Sequence, residues 1–166
     1  MTKLSKIITI LCMPTLLCCC KDDELSLSRV PYTGNELRID GYYYNNIGSL
    51  NVHFFYRNGI VRYGGGGYKD FEEFEKCVRN SNIPGNSITD WGVFLINSSD
   101  IKFERWYSSS GGGAPAYIRE GKILNDTSFH ITVSYRSNGS ERREIDELYH
   151  FREFSPKPDS TNNFIK

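Results

Sequence analysis

The chain has 166 residues, with 20 basic and 20 acidic side chains. That length builds one domain with a core of its own, and the balanced charge lacks the electrostatic footprint of a nucleic-acid binder. Eleven Tyr and ten Phe tilt the composition toward strands.

The N-terminus reads as an export segment. Lys3 and Lys6 precede an apolar run, Ile7 to Leu17, which has the layout of a signal peptide and falls short of the roughly 20 residues that span a bilayer. Pro14 further weakens a permanent transmembrane helix. The segment Leu16-Leu-Cys-Cys-Cys20 resembles a bacterial lipobox, with Leu17 in the branched apolar slot, Cys19 in the small slot and Cys20 at the modified position. Cysteine before the cleavage point departs from the usual Gly, Ala or Ser and leaves Cys19 and Cys18 as alternative sites. The resemblance implies that residues 1–19 are removed, that Cys20 carries the lipid, and that the chain's first partner is a membrane held through that lipid. Lys21, Asp22 and Asp23 are similar to the surface-export signal of Bacteroidota-type lipoproteins. They imply an outer-membrane anchor facing the cell exterior; as a merely solvated tether they leave a periplasm-facing location open. With four cysteines at this end, Cys77 has no partner, and no structural disulfide is expected.

The spacing predicts a lipidated N-terminus and tether over 20–34, a β domain over 35–155 and a tail over 156–166. Strands are expected over 36–44, 52–56 and 60–63, the last two joined by Asn58-Gly59, a strong hairpin signal. Asp70 to Val78 places Phe71, Phe74 and either Cys77 or Val78 at helical spacing, behind a capping Asp70 and acidic residues in the first turn. It predicts a short amphipathic helix over about 69–80, lying against the sheet. Further strands follow at 91–96, where Trp91, Val93 and Leu95 share one face, and at 101–107, where Ile101, Phe103, Arg105 and Tyr107 do. The remaining strands are 116–124, then Phe129 to Tyr135 alternating cleanly, and 144–154 after the Asn138-Gly139 turn.

Seven or eight strands joined by short polar turns make an antiparallel meander. Such a sheet loses its exposed edges by closing into a small barrel with the helix inserted; a strongly curved sheet or a β-sandwich is the alternative. The runs Trp91-Gly-Val-Phe, Ile101-Lys-Phe-Glu, Gly121-Lys-Ile-Leu-Asn-Asp-Thr127 and Tyr149-His-Phe151 resemble small Bacteroidota lipoproteins, some with lipocalin-like barrels. The resemblance covers about residues 37–155 and implies a barrel and a ligand, but assigns no binding residue.

Catalytic signals are weak. Gly64 to Gly67 lacks the Gly-Lys-Ser/Thr ending of a phosphate loop and reads as a hairpin end or helix approach. Ser108 to Gly113 lacks the Gly-x-Ser-x-Gly elbow of hydrolases. His53, His130 and His150 form no ligand pair at metal-binding spacing, and neither metal nor other cofactor is expected. Cys77, beside Phe74, reads as a buried and inert thiol. Glu104, Glu120, Asp126 and Glu153 could supply a glycosidase pair, but acids beside Lys102, Arg119 and Arg152 read as cross-strand charge pairs on a wet face.

The aromatic surplus is the remaining signal. Neighbours such as Tyr42, Tyr43 and Tyr44 point to opposite sheet faces, so Tyr42, Tyr44, Trp106 and Tyr107 are candidates for a binding surface, unless the helix and long loops cover them. The expected function is a non-enzymatic binding or accessory module for a glycan, a small apolar ligand or a protein. The alternatives are a hydrolase of glycan or envelope material and a purely structural envelope protein.

Overall fold

A computed structural model describes residues 22–166; the expected lipidation sites Cys18, Cys19 and Cys20, and Lys21 of the export signal, lie outside the described residues. The eight strands are β1 (Gly41–Asn45), β2 (Leu50–Phe55), β3 (Ile60–Tyr68), β4 (Trp91–Asn97), β5 (Asp100–Trp106), β6 (Ala116–Asn125), β7 (Ser128–Arg136) and β8 (Arg143–Glu153). Each pairs antiparallel with the next, and β8 pairs back with β1 through Tyr43↔Phe151, closing a barrel. Closure gives every edge a partner, which a sandwich would not do for all eight strands.

The turns follow their local chemistry. Gly59 has φ of 82° in the Asn58-Gly59 turn, in the left-handed region that favours glycine. Between β3 and β4 lie helix α1 (Phe71–Arg79) and a 3-10 turn, Ile88–Asp90. Asp70 caps α1 by accepting the Glu73 amide at 2.9 Å. The helix lays Phe74 and Val78 on the outer wall, over Tyr42, Val52 and Phe54. Gly64 permits that approach: a Cβ there would sit 3.1 Å from the Phe54 ring and 3.2 Å from the Phe74 ring.

The two flanks of the barrel are part of the fold. Residues 22–29, at the start of the expected tether, run along the outer wall beside β5. The reason is Glu104, whose side chain faces outward under this segment and accepts the Ser26 amide at 2.9 Å, the Ser26 hydroxyl at 3.1 Å and the Leu27 amide at 2.6 Å. Glu104 is therefore fully buried and not on a wet face. Tyr32 and Leu37 then plug one end of the barrel, where the Tyr32 amide bonds Arg57 O and the Arg38 amide bonds Asp126 O. The C-terminal residues return over β2 and β3, with Tyr56 donating to Pro158 O at 2.7 Å and Arg62 to Asp159 O at 2.7 Å, and end beside the N-terminal segment, where Ile165 joins Leu25 on the Trp106 cluster.

Candidate functional site

Alternation along the strands sends one side chain in two into the barrel, and the interior divides along its length. The plugged half is apolar: Tyr43, Phe55, Val61, Phe94, Ile101, Phe103, Phe129 and Ile131 pack there with Tyr32 and Leu37. Its rings meet edge-on, as Tyr43 does with Phe55 at 5.6 Å and Phe55 with Phe94 at 5.0 Å. The half nearer the β5–β6 and β7–β8 loops is polar. It contains His53, Tyr63, Arg105, Tyr107, Arg119, Ser134, Glu147 and Tyr149.

Arg105 is the centre of this polar half. It is 7% exposed, and its guanidinium carbon lies 4.2 Å from the Tyr63 ring centroid and 4.1 Å from that of Tyr107. Stacking between two tyrosines gives the cation a favourable π-face on either side. Its Nη1 donates to Thr89 O at 2.7 Å and Trp106 O at 3.4 Å, while its Nε has no partner. Among the described residues no carboxylate lies within ion-pair distance of it. Glu147 is held by Arg119 and by the Tyr149 hydroxyl at 2.9 Å, and Asp90 by the Ser87 amide at 3.0 Å. Arg119 also borders the Tyr107 ring, at 5.7 Å, and its Nε is likewise unpartnered.

Ser134 and His53 complete the set. Ser134 sits directly across from Arg119 in the β6–β7 register, is 1% exposed, and its hydroxyl has no partner. His53 is 4% exposed between Tyr63, Phe103 and Tyr149, with both ring nitrogens unpartnered. Buried polar atoms are satisfied in the great majority of native positions, so a cluster of orphans at one place calls for an explanation. Here every buried side-chain atom without a partner among the described residues belongs to His53, Arg105, Arg119 or Ser134.

The electrostatics of this half favour negative charge. Burial, then the positive fields of Arg105 and Arg119, hold the His53 imidazole well below its ordinary pKa of 6.5, so it is neutral. Burial opposes ionisation of Tyr107, but the same two guanidiniums outweigh it and draw its hydroxyl below the ordinary tyrosine value. Tyr149 is pushed well above, by burial and then by Glu147.

The four candidate aromatics do not form one surface. Tyr42 is fully buried under α1, touching Phe74 at 5.0 Å, and Tyr44 is half-buried against Phe71 at 4.7 Å. Trp106 is 6% exposed and covered by Leu25, Ile88 and Ile165, its indole donating to Asp23 O at 2.6 Å. Tyr107 alone faces the barrel interior. Asp22 is exposed, whereas Asp23 is bound twice by Arg136, at 2.7 and 3.0 Å, and accepts the Ala116 amide at 3.2 Å.

The other candidates also find separate places. Glu120 pairs with Lys102 at 3.3 Å, Glu153 with Arg38 at 3.0 Å, and Asp126 lends its carbonyl to Arg38 and Tyr43. His130 meets Asp146 at 2.6 Å on the surface, and His150 is exposed. Cys77 is a free, half-buried thiol at the edge of the α1 contact rather than in it, because the buried pair is Phe74 and Val78.

Ser134 escaped the sequence reading for a physical reason. Phe129 and Ile131 face inward, but a bulge between Ile131 and Val133 shifts the register. Val133 and Tyr135 then turn outward, where Tyr135 donates to Glu120 at 3.0 Å, and Ser134 takes the inner face. Arg105 shares a face with Phe103 and Tyr107 by alternation, but neither the inward direction of that face nor its lack of a partner was readable.

Comparison of the chain with models of known protein families, with curated proteins and with solved structures found no match.

Proposed function

We propose that the protein is a lipid-anchored cell-envelope binding module, held by a lipid on Cys20, displayed on the outer membrane toward the cell exterior, and binding a small molecule inside its barrel. The single observation that supports the binding role is the clustering of all the unpartnered buried polar side-chain atoms among the described residues in one half of the barrel interior. A purely structural barrel gains stability by replacing such groups with apolar ones, whereas a binding site retains them for its ligand. Surface grooves give less support. The one between α1 and the end of β8, about 600 Å³, is bordered by charges that pair with each other, Glu75 with Arg152 at 2.7 Å and with Arg79 at 3.4 Å. The export segment, the lipobox resemblance and the Lys21-Asp22-Asp23 run support the anchor and its outward face.

Native mass spectrometry tests the binding role on residues 21–166, which contain every strand of the barrel, purified gently from a bacterial host. A retained small molecule of defined mass, lost on denaturation, is the expected result. A bare mass across several hosts and growth media would overturn the binding role in favour of an envelope scaffold.

A further inference from the structure

We infer that the polar half of the barrel is a carboxylate site, in which Arg105, Arg119, Tyr107 and Ser134 receive the acid group of a small organic monoanion. This inference rests on the proposed binding role and names the ligand class for that site.

The argument starts from charge. Taking a guanidinium out of water is costly unless an anion and hydrogen-bond acceptors replace the solvent. Arg105 has two carbonyl oxygens and two tyrosine faces, but no anion among the described residues. Arg119 is neutralised by Glu147. The interior therefore lacks one negative charge, which a monoanion supplies and a dianion would overshoot.

Geometry gives the acid its donors. The two guanidiniums flank the same Tyr107 ring, and the unpartnered Nε–H groups of both are buried in the interior. The Ser134 hydroxyl lies beside Arg119 in register, equally free to donate. Guanidinium donors match the planar, two-oxygen face of a carboxylate. His53, held neutral, presents one N–H and one acceptor at the floor of the site, and suits a polar substituent on the acid rather than the acid itself. Below it, Phe103, Phe129 and Tyr149 close the interior, with Phe129 stacked on Tyr149 at 4.7 Å. The body of the ligand accordingly extends away from this floor, among Tyr63, Tyr107 and Tyr117, whose rings offer flat apolar area. Tyr107 and Tyr117 already meet edge-on at 5.6 Å.

The test is calorimetry with 4-hydroxybenzoate, indole-3-acetate and octanoate, set against their uncharged amides and against inorganic phosphate. It is read beside the arginine Nε–H signals in ¹H–¹⁵N spectra of residues 21–166. At least one acid is expected to bind one to one and to shift two buried arginine Nε–H signals, while its amide and phosphate do not. Arg105→Gln should weaken that acid roughly tenfold or more. Arg119→Gln, which leaves Glu147 unpaired, is a riskier variant for folding, so Ser134→Ala serves as the second and should weaken binding about fivefold or less. Equal binding of acid and amide would overturn the carboxylate site while leaving the binding role intact. Binding of phosphate alone would overturn the carboxylate. Failure of every probe, with no small molecule retained in the native mass, would remove both.

Discussion

At the scale of single residues, the interior of the barrel shows how little a side chain's identity says without its neighbours. His53, His130 and His150 look alike in sequence, each inside a strand. One is sealed among Tyr63, Phe103 and Tyr149, one pairs with Asp146 and one faces solvent. Arg105 and Arg119 from β5 and β6, Tyr63 and Tyr149 face His53, and the two cations reinforce the burial that lowers its pKa. The sign of the resulting pH dependence follows. Folded His53 stays neutral while the unfolded histidine takes up a proton below about 6.5, so the unfolded state binds more protons as pH falls. Stability is complete above that value and is lost as pH drops toward the folded pKa. Thermal melts between pH 7 and 4.5 should show a steeper loss for the natural protein than for His53→Phe, and identical slopes would sink the assignment. That Phe103, Arg105 and Tyr107 share one face was legible from alternation; that this face lines the barrel interior was not. Nor was Ser134, because a bulge is invisible to a two-residue period.

At the scale of elements, α1 was legible almost to the residue. Asp70, the acids behind it and the spacing of Phe71, Phe74 and Cys77 or Val78 each act within one or two turns, and local physics of that kind survives in the sequence. What α1 covers was open: Tyr42 could have faced a ligand or a helix. The structure gives it to the helix, with Phe74 meeting Tyr42 at 5.0 Å and Tyr68 at 5.1 Å. Phe74→Ala should therefore cost about 3–5 kcal/mol. Hydrogen exchange should show 71–79 losing protection while β5 to β7 keep theirs. If exchange rose equally around the barrel, α1 would have to be counted as part of the closure rather than a cover laid over it.

At the scale of the whole molecule, the meander and the barrel were legible because consecutive strands joined by short turns leave few topologies, and closure removes the edges. The two flanks were not, because a segment such as Leu25 to Gly34 has no periodicity and gains its order only from distant partners. Glu104 is the chief of these, burying its carboxylate against Ser26 and Leu27. Glu104→Ala leaves those two amides without an acceptor and should cost roughly 3 kcal/mol. Limited proteolysis should then cut within 22–31 under conditions where the natural chain resists, with the barrel fragment surviving; an unchanged digest would mean the segment is held by its apolar contacts alone. Asp23 is fastened to Ala116 and Arg136, at the same end of the barrel as the polar half of the interior. Only three peptide steps separate Cys20 from Asp23, at most about 11 Å of extended chain. On the proposed anchor at Cys20 the barrel would be no buoy on a long line: its polar end would lie against the bilayer, and a bound molecule would be exchanged with the lipid headgroup layer before it met open water.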